Sequence, residues 1–207
     1  MSKKGILAVV SGFSGAGKGT LMKALLGEHP EQYALSISAT TRQPRAGEVH
    51  GREYFFVSTE AFEGMIQEDA LIEYACYVGN YYGTPRSYVE EQMEAGKDVI
   101  LEIEIQGALK VKEKFPDTLL LFVTPPDAKE LEHRLRGRGT ETEEVIRDRL
   151  KRAVEEAEFM QQYDYLLVND NLETCVREMH ELIRSQHQKT ANNLEFIEEM
   201  KQELKAL

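Results

Sequence analysis

The sequence predicts an α/β protein: an open parallel sheet with helices on both faces. Two observations carry that prediction. Short apolar runs bounded by turn residues alternate with longer stretches of helical periodicity, the order expected when crossover helices join parallel strands. The first such run, residues 6–10, is apolar throughout, as a strand covered on both faces must be.

The elements follow in order. After 6–10 comes a glycine-rich turn, Ser11-Gly12-Phe13-Ser14-Gly15-Ala16-Gly17-Lys18-Gly19-Thr20. Leu21, Met22 and Leu25 then start a helical stripe, and Gly27 is its natural stop. A second strand is predicted over 33–38. Residues 54–57 read as a short strand, Thr59 as the N-cap of a helix over 60–69, and 71–77 as a strand. The stretch 79–85, rich in Gly, Asn and Pro, reads as turns. Residues 38–87 therefore form a small β-rich insert. Ser87 opens a helix that stops at Gly96, and 98–104 returns to the core as a strand with Glu102 and Glu104 at its far end. A helix around Val111 ends before Pro116, and 118–124 is a buried strand stopped by Pro125-Pro126. Residues 129–136 are helical up to Gly137-Arg138-Gly139. Thr140 and Glu143 suit a capping box for the next helix, whose stripe is Ile146, Leu150, Ala153, Ala157 and Met160. A last strand at 165–168 is followed by a helix marked by Leu172, Val176, Met179 and Ile183. A terminal amphipathic helix carries Ile197, Met200, Leu204 and Leu207 on one face.

The 207 residues suffice for one good core with one or two inserted lobes. Hydrophobic residues make up 42% and charged residues 29%, ordinary for a globular chain. A net charge of −11 argues against bulk binding to nucleic acid or an anionic membrane, so a binder of small anions must concentrate its arginines locally. The apolar run at 6–10 is too short to span a bilayer and no signal-peptide pattern follows, which makes the cytoplasm the default location. Cys76 and Cys175 form no paired framework and read as reduced thiols. The five histidines, His29, His50, His133, His180 and His187, lack metal-ligand spacing and read as surface residues.

The chemistry concentrates in three places. The spacing Gly12-x-x-x-x-Gly17-Lys18 between a strand and a helix suits a phosphate cradle. Glycines let backbone N–H groups turn inward, the helix N-terminus adds positive potential, and Lys18 reaches outer phosphates. The position after the lysine is Gly19 rather than Ser or Thr, so direct metal ligation from there is lost. The second place is Arg42 and Arg45, with Pro44 stiffening the turn: two guanidinium groups three residues apart suit a dianionic phosphate. From the pattern alone a solvated surface pair fits equally well. The third is a basic segment holding Arg134, Arg136, Arg138, Arg147, Arg149, Lys151 and Arg152 in an otherwise acidic chain.

These stretches join in a longer series: Ser-x-Thr-Thr-Arg-x-Pro-Arg-x-Gly-Glu from Ser38, Gly-Arg-Glu-Tyr-x-Phe-Val from Gly51, Ile-Glu-Tyr at 72–74, Gly-Asn-Tyr-Tyr-Gly-Thr at 79–84, Leu-Glu-Ile-Glu-x-Gln-Gly from Leu101, and Gly-Arg-Gly-Thr-Glu from Gly137. The series resembles the guanylate kinases, from residue 4 to about 185 in unbroken order. The resemblance implies a P-loop three-layer fold with a central parallel sheet, an inserted β-rich GMP-binding lobe and a helical lid. The core would comprise 1–37, 88–127 and 151–187, the lobe 38–87, the lid 128–150, and a C-terminal helical extension 188–207.

The activity implied is transfer of the γ-phosphoryl group of ATP to GMP and dGMP with Mg²⁺. The resemblance assigns ATP binding to Ser11 through Thr20 with Arg134 and Arg138. It assigns GMP binding to Ser38, Arg42, Arg45, Tyr54, Glu73, Tyr82, Thr84 and Glu102. The catalytic charges would be Lys18, Arg42, Arg138 and Arg149, while Arg136, Arg147 and Arg152 read as solvated helix charges. Glu102 and Glu104 stand where the family often has Asp, and Glu104 would hold the metal through water. The chemistry agrees for the base. Guanine offers N1–H and N2–H₂ as adjacent donors, which the acceptor-only carboxylate of Glu73 can take together, and a Thr84 hydroxyl could donate to O6. No general base is required, because the attacking phosphate oxygen is already ionised. Two other readings compete: a P-loop kinase for another phosphorylated small molecule, and a non-catalytic interaction module. The terminal helix suits a homo-oligomer contact.

Overall fold

The computed structural model describes residues 4–77, 79–137 and 142–207. Its main sheet has five parallel strands in the order β2-β7-β1-β8-β9: β1 Leu7–Gly12, β2 Tyr33–Leu35, β7 Asp98–Glu102, β8 Leu119–Thr124 and β9 Tyr165–Val168. Helices α1 (Lys18–Glu28), α3 (Arg86–Glu94), α4 (Ile105–Lys114), α5 (Ala128–Gly137) and α6 (Glu143–Ala157) lie between strands, and α7 (Leu172–Gln186) follows the last one. The apolar runs of the sequence are the central strands: Ala8, Val9, Val10, Ile100, Leu101 and Leu120 through Val123 are all fully buried. The predicted α/β class with a parallel sheet is the observed one.

A second, four-stranded sheet stands apart, in the order β4-β3-β6-β5: β3 Ala39–Thr40, β4 Phe55–Phe56, β5 Leu71–Tyr77 and β6 Asn80–Pro85. It carries helix α2, Thr59–Gln67. Its fully enclosed interior is small, with Ala39, Phe62 and Leu71 flanked by half-buried Phe55, Val57, Met65, Ile66 and Tyr81. The turn-rich reading of 79–85 is corrected. Once Gly79 reverses the chain, Tyr81, Tyr82 and Gly83 pair antiparallel with β5, and pairing overrides weak strand propensity.

Three helix ends also differ from expectation. Helix α1 runs through Gly27 to Glu28, because tertiary packing of Leu21, Met22 and Leu25 carries the last turn past the glycine. Ser58, not Thr59, caps α2, its hydroxyl accepting from Ala61 N–H at 3.2 Å. Helix α6 begins at Glu143 with Thr142 as N-cap, while Thr140 lies outside the described residues. Helix α6 also runs without a break across 150–151, where the lid was expected to end.

Helix α8, Leu194–Lys205, closes the chain. Its Leu194, Phe196, Met200 and Leu204 are exposed, as is Leu207 beyond it. Among the described residues no helix is long and apolar enough to cross a membrane.

Candidate active site

Parallel strands β1, β7, β8 and β9 all end on one edge of the main sheet, where α/β proteins bind ligands. The glycine-rich loop follows β1 there. Gly12 lies so close to β8 that a Cβ would sit 2.1 Å from the Val123 carbonyl oxygen. Gly17 has φ 90°, a left-handed conformation that side chains resist. Ser11 is buried and donates to the Ile103 carbonyl at 2.8 Å, tying the loop's start to the end of β7. Phe13 packs edge-on against Phe122, which packs edge-on against Tyr163, so an aromatic column supports the loop from below. Lys18 folds over the loop, its Nζ donating to the Gly12 carbonyl at 2.7 Å and to Phe13 at 3.2 Å. Gly19 and Thr20 are exposed on the first turn of α1.

The basic segment reaches this loop through Arg149, whose guanidinium donates to the Ser14 hydroxyl. Arg134 instead bonds Glu130 on its own helix at 2.6 Å. Arg138 lies outside the described residues. Arg136 pairs with Glu132 and Glu143, and Arg147 is exposed. Arg152 is an exposed helix charge, as expected, and it has partners. It bridges Glu104 at 3.0 Å and Glu156 at 3.1 Å, linking α6 to the turn after β7, and Glu104 foremost raises its pKa. Burial raises the Glu156 carboxyl, opposed by Arg152 and by nearby Lys18. Glu102 ends β7 as an exposed carboxylate.

The small sheet presents a second group. Arg42 makes a two-pronged contact with Glu48, both oxygens at 2.9 Å, and lies over Tyr54 and Phe56 at 5.4 and 5.8 Å from the ring centroids. Tyr54 and Tyr82 meet edge-on at 6.0 Å. Glu48 raises the Arg42 pKa, and Arg42 in turn holds the Glu48 carboxyl below its usual range, helped by the Arg45 N–H at 2.7 Å. The Arg45 side chain is exposed, and Ser38 is half-buried with its carbonyl accepting from Phe55 N–H at 2.9 Å.

Glu73 lies where the β5–β6 register shifts, a bulge that re-aims its side chain. Fully buried Thr84 donates its hydroxyl to Glu73 Oε1 at 2.8 Å. That donation occupies the hydroxyl proton expected for guanine O6, so Thr84 here orients the carboxylate instead. Glu73 Oε2 faces the start of α4, 3.5 Å from where a Cβ on Gly107 would stand. Burial pushes the Glu73 carboxyl above the ordinary range, while Thr84 and Lys110 pull it down.

Sequence reasoning missed Glu48, which the Arg-x-Gly-Glu string already contained, the i,i+4 pair of Arg152 with Glu156, which helical spacing offers, and the pairing of Arg152 with Glu104, which no spacing in the chain announces. The structure buries Asn169 against the glycine-rich loop, its amide donating to the Ala16 carbonyl at 2.8 Å.

Comparison with known proteins agrees with this geometry. The guanylate kinase family profile matches residues 4–186. A guanylate kinase of Halalkalibacterium halodurans is 51% identical over 193 residues, covering 93% of this chain and 94% of its own. One from Caldanaerobacter subterraneus subsp. tengcongensis is 48% identical over 203 residues, covering 98% of each. The crystal structure of guanylate kinase from Anaplasma phagocytophilum superposes with a TM-score of 0.69 at 31% identity, over 92% of this chain and 90% of that one. With a glycine-rich loop at the end of β1, a carboxylate–hydroxyl pair in the small sheet, and relatives that match nearly end to end, the chain belongs to the guanylate kinase family.

Proposed function

We propose that the protein transfers the γ-phosphoryl group of ATP to GMP, and to dGMP, releasing ADP and the nucleoside diphosphate. The observation that carries the substrate is the Glu73–Thr84 pair. Thr84 holds one carboxylate oxygen at 2.8 Å, and the carboxylate has lone pairs left for the two adjacent donors of guanine. Adenine has an acceptor at N1 and no amine at C2, so it would leave that carboxylate unpaired, a mismatch worth about 10⁴-fold or more in built polar sites.

In this reading the segments 1–37, 88–127 and 151–187 act as the body, 38–87 as the GMP lobe, and 128–150 as the lid. Ser11 through Thr20 cradle the ATP phosphates, and Lys18 releases the Gly12 and Phe13 carbonyls to reach them. Arg42, with Arg45, Ser38, Tyr54 and Tyr82, takes the GMP phosphate; Glu48 is the internal anion that the phosphate displaces from Arg42. Glu102 borders the GMP site. Arg149, already bonded to the loop through Ser14, supplies charge where it spreads in the transition state, with Arg134 and Arg138 from the same segment. The attacking oxygen needs no side-chain base.

The residues present fit Mg²⁺ held mainly by nucleotide phosphates and water. Gly19 has no hydroxyl to offer, and Glu104 is an exposed hard-oxygen group at the sheet edge that Arg152 would have to yield. When bound, the ion would neutralise phosphate charge and orient the transferred group. The setting is a reducing cytoplasm, and the exposed apolar face of α8 pairs with a second copy. A coupled assay of ADP release tests the activity. Stimulation by GMP and not by AMP, CMP or UMP is expected, and no stimulation by GMP refutes the proposal.

A further inference from the structure

The loop that carries Lys18 is clamped by a residue 153 positions away in sequence from the carbonyl it holds. Asn169, just past β9, is 6% exposed. Its own N–H donates to the Thr124 carbonyl at 2.8 Å, which fixes its backbone beside β8. Two residues on, Asn171 Oδ1 accepts from Thr174 N–H at 2.9 Å and caps α7. Held on both sides, the Asn169 amide donates from Nδ2 to the carbonyl of Ala16 at 2.8 Å, a fully buried residue in the middle of the loop. The partner is an acceptor only, so the amide nitrogen must face it. The approach is close: a Cβ at position 17 would stand 2.5 Å from that nitrogen.

The Ala16 carbonyl and the Gly17 N–H belong to one planar trans peptide, so they point in opposite directions. A donor that holds the carbonyl toward β9 therefore turns the N–H into the cradle. We propose that Asn169 is a positioning residue for ATP, setting the 16–17 peptide so that the Gly17 N–H faces the phosphates. This rests on reading 11–20 as the ATP loop. A buried carbonyl without its donor would be satisfied only by rotating the peptide, and that rotation removes an N–H from the anion.

The test is Asn169→Asp beside Asn169→Leu, both compared with the unaltered protein in the ADP-release assay and by equilibrium titration with ATP and with GMP. At about pH 8 the aspartate places an acceptor against an acceptor. The KM and Kd for ATP should rise about tenfold or more, with those for GMP within about twofold. As pH falls toward about 5.5, the acid facing a carbonyl takes up a proton and donates again, so the Asp deficit should shrink about fivefold. The Leu variant should carry the same deficit at every pH. ATP affinity within about twofold of the unaltered protein, or a deficit shared equally by GMP, or an Asp deficit that does not change with pH, overturns the proposal. If Asn169→Asp does not fold, Asn169→Ala read by the two titrations decides in its place. An unaltered protein that binds ATP but releases no ADP with GMP would count against the proposed function, and the ATP titrations would still judge Asn169.

Discussion

Replacing Glu73 with Gln isolates base recognition from folding, because the two effects run in opposite directions. The amide keeps one acceptor for Thr84, whose hydroxyl now reaches Glu73 Oε1 at 2.8 Å. The other atom becomes an NH₂ facing the donors of guanine. Two hydrogen bonds to a charged acceptor are lost or inverted, each worth about 1.5–3 kcal/mol, for a total of about 3–6 kcal/mol. At about 1.4 kcal/mol per decade, kcat/KM for GMP should fall about 10²- to 10⁴-fold. Stability moves the other way. Burial raises the carboxyl above its unfolded value, so the stabilising contribution of Glu73 is complete below the unfolded pKa and is lost as pH rises through the folded one. At neutral pH the ionised group therefore burdens the fold, and Gln should leave the melting temperature unchanged or higher. For the unaltered protein, kcat/KM for GMP should decline on acidification from a pH above the usual glutamate range. Varied-GMP kinetics and thermal melts on the same preparations check both halves. A variant within about threefold of the unaltered kcat/KM, or one whose loss tracks a lower melting temperature, refutes the reasoning.

Other outcomes follow from the same contacts. Lys18→Ala removes the Nζ that now bonds the Gly12 and Phe13 carbonyls; turnover should drop at least about 10²-fold while the melting temperature moves little, as a charge acting on the transferred group requires. Leu121→Ala, at a fully buried position between β1 and β9, should cost about 2–5 kcal/mol in denaturant unfolding. His180 stacks on His29 at 4.0 Å and meets the Tyr33 hydroxyl at 2.7 Å. Burial, then His29 and Arg184, lower its pKa against Glu181 and Asp98, so its contribution is present above the unfolded value and lost as pH falls through the folded one. Thermal melts between about pH 7 and 5 should show that loss, and His180→Asn should flatten it. Phe196→Glu with Leu204→Glu, on the exposed face of α8, should lower the mass seen by light scattering without changing the helical signal.

Most of the main sheet was legible in the chain because its strands are continuous apolar runs, and β5 was read to the residue at 71–77. What escaped needs a partner to become visible. Strand β6 is written in Asn, Tyr and Gly and becomes a strand only by pairing with β5. Arg152 looks like any helix charge until the fold brings Glu104 beside it. His29 and His180 look like surface residues, yet they stack between α1 and α7, 151 positions apart. The candidate base site was legible through its motifs. The donation from Thr84 to Glu73 depends on a cross-strand register that spacing cannot reveal. Arg138 falls outside the described residues, so its proposed part rests on sequence alone.

The apolar cluster inside the small sheet is Ala39, Phe62 and Leu71, and none of the three belongs to the large interior of the body, which β5 reaches through Ile72 instead. The small sheet thus has an interior of its own and a single strand, β5, that also feeds the main core. Changes at Ala39, Phe62 or Leu71 would loosen the small sheet with little effect on the five parallel strands, whereas a change at Ile72 would be felt by both.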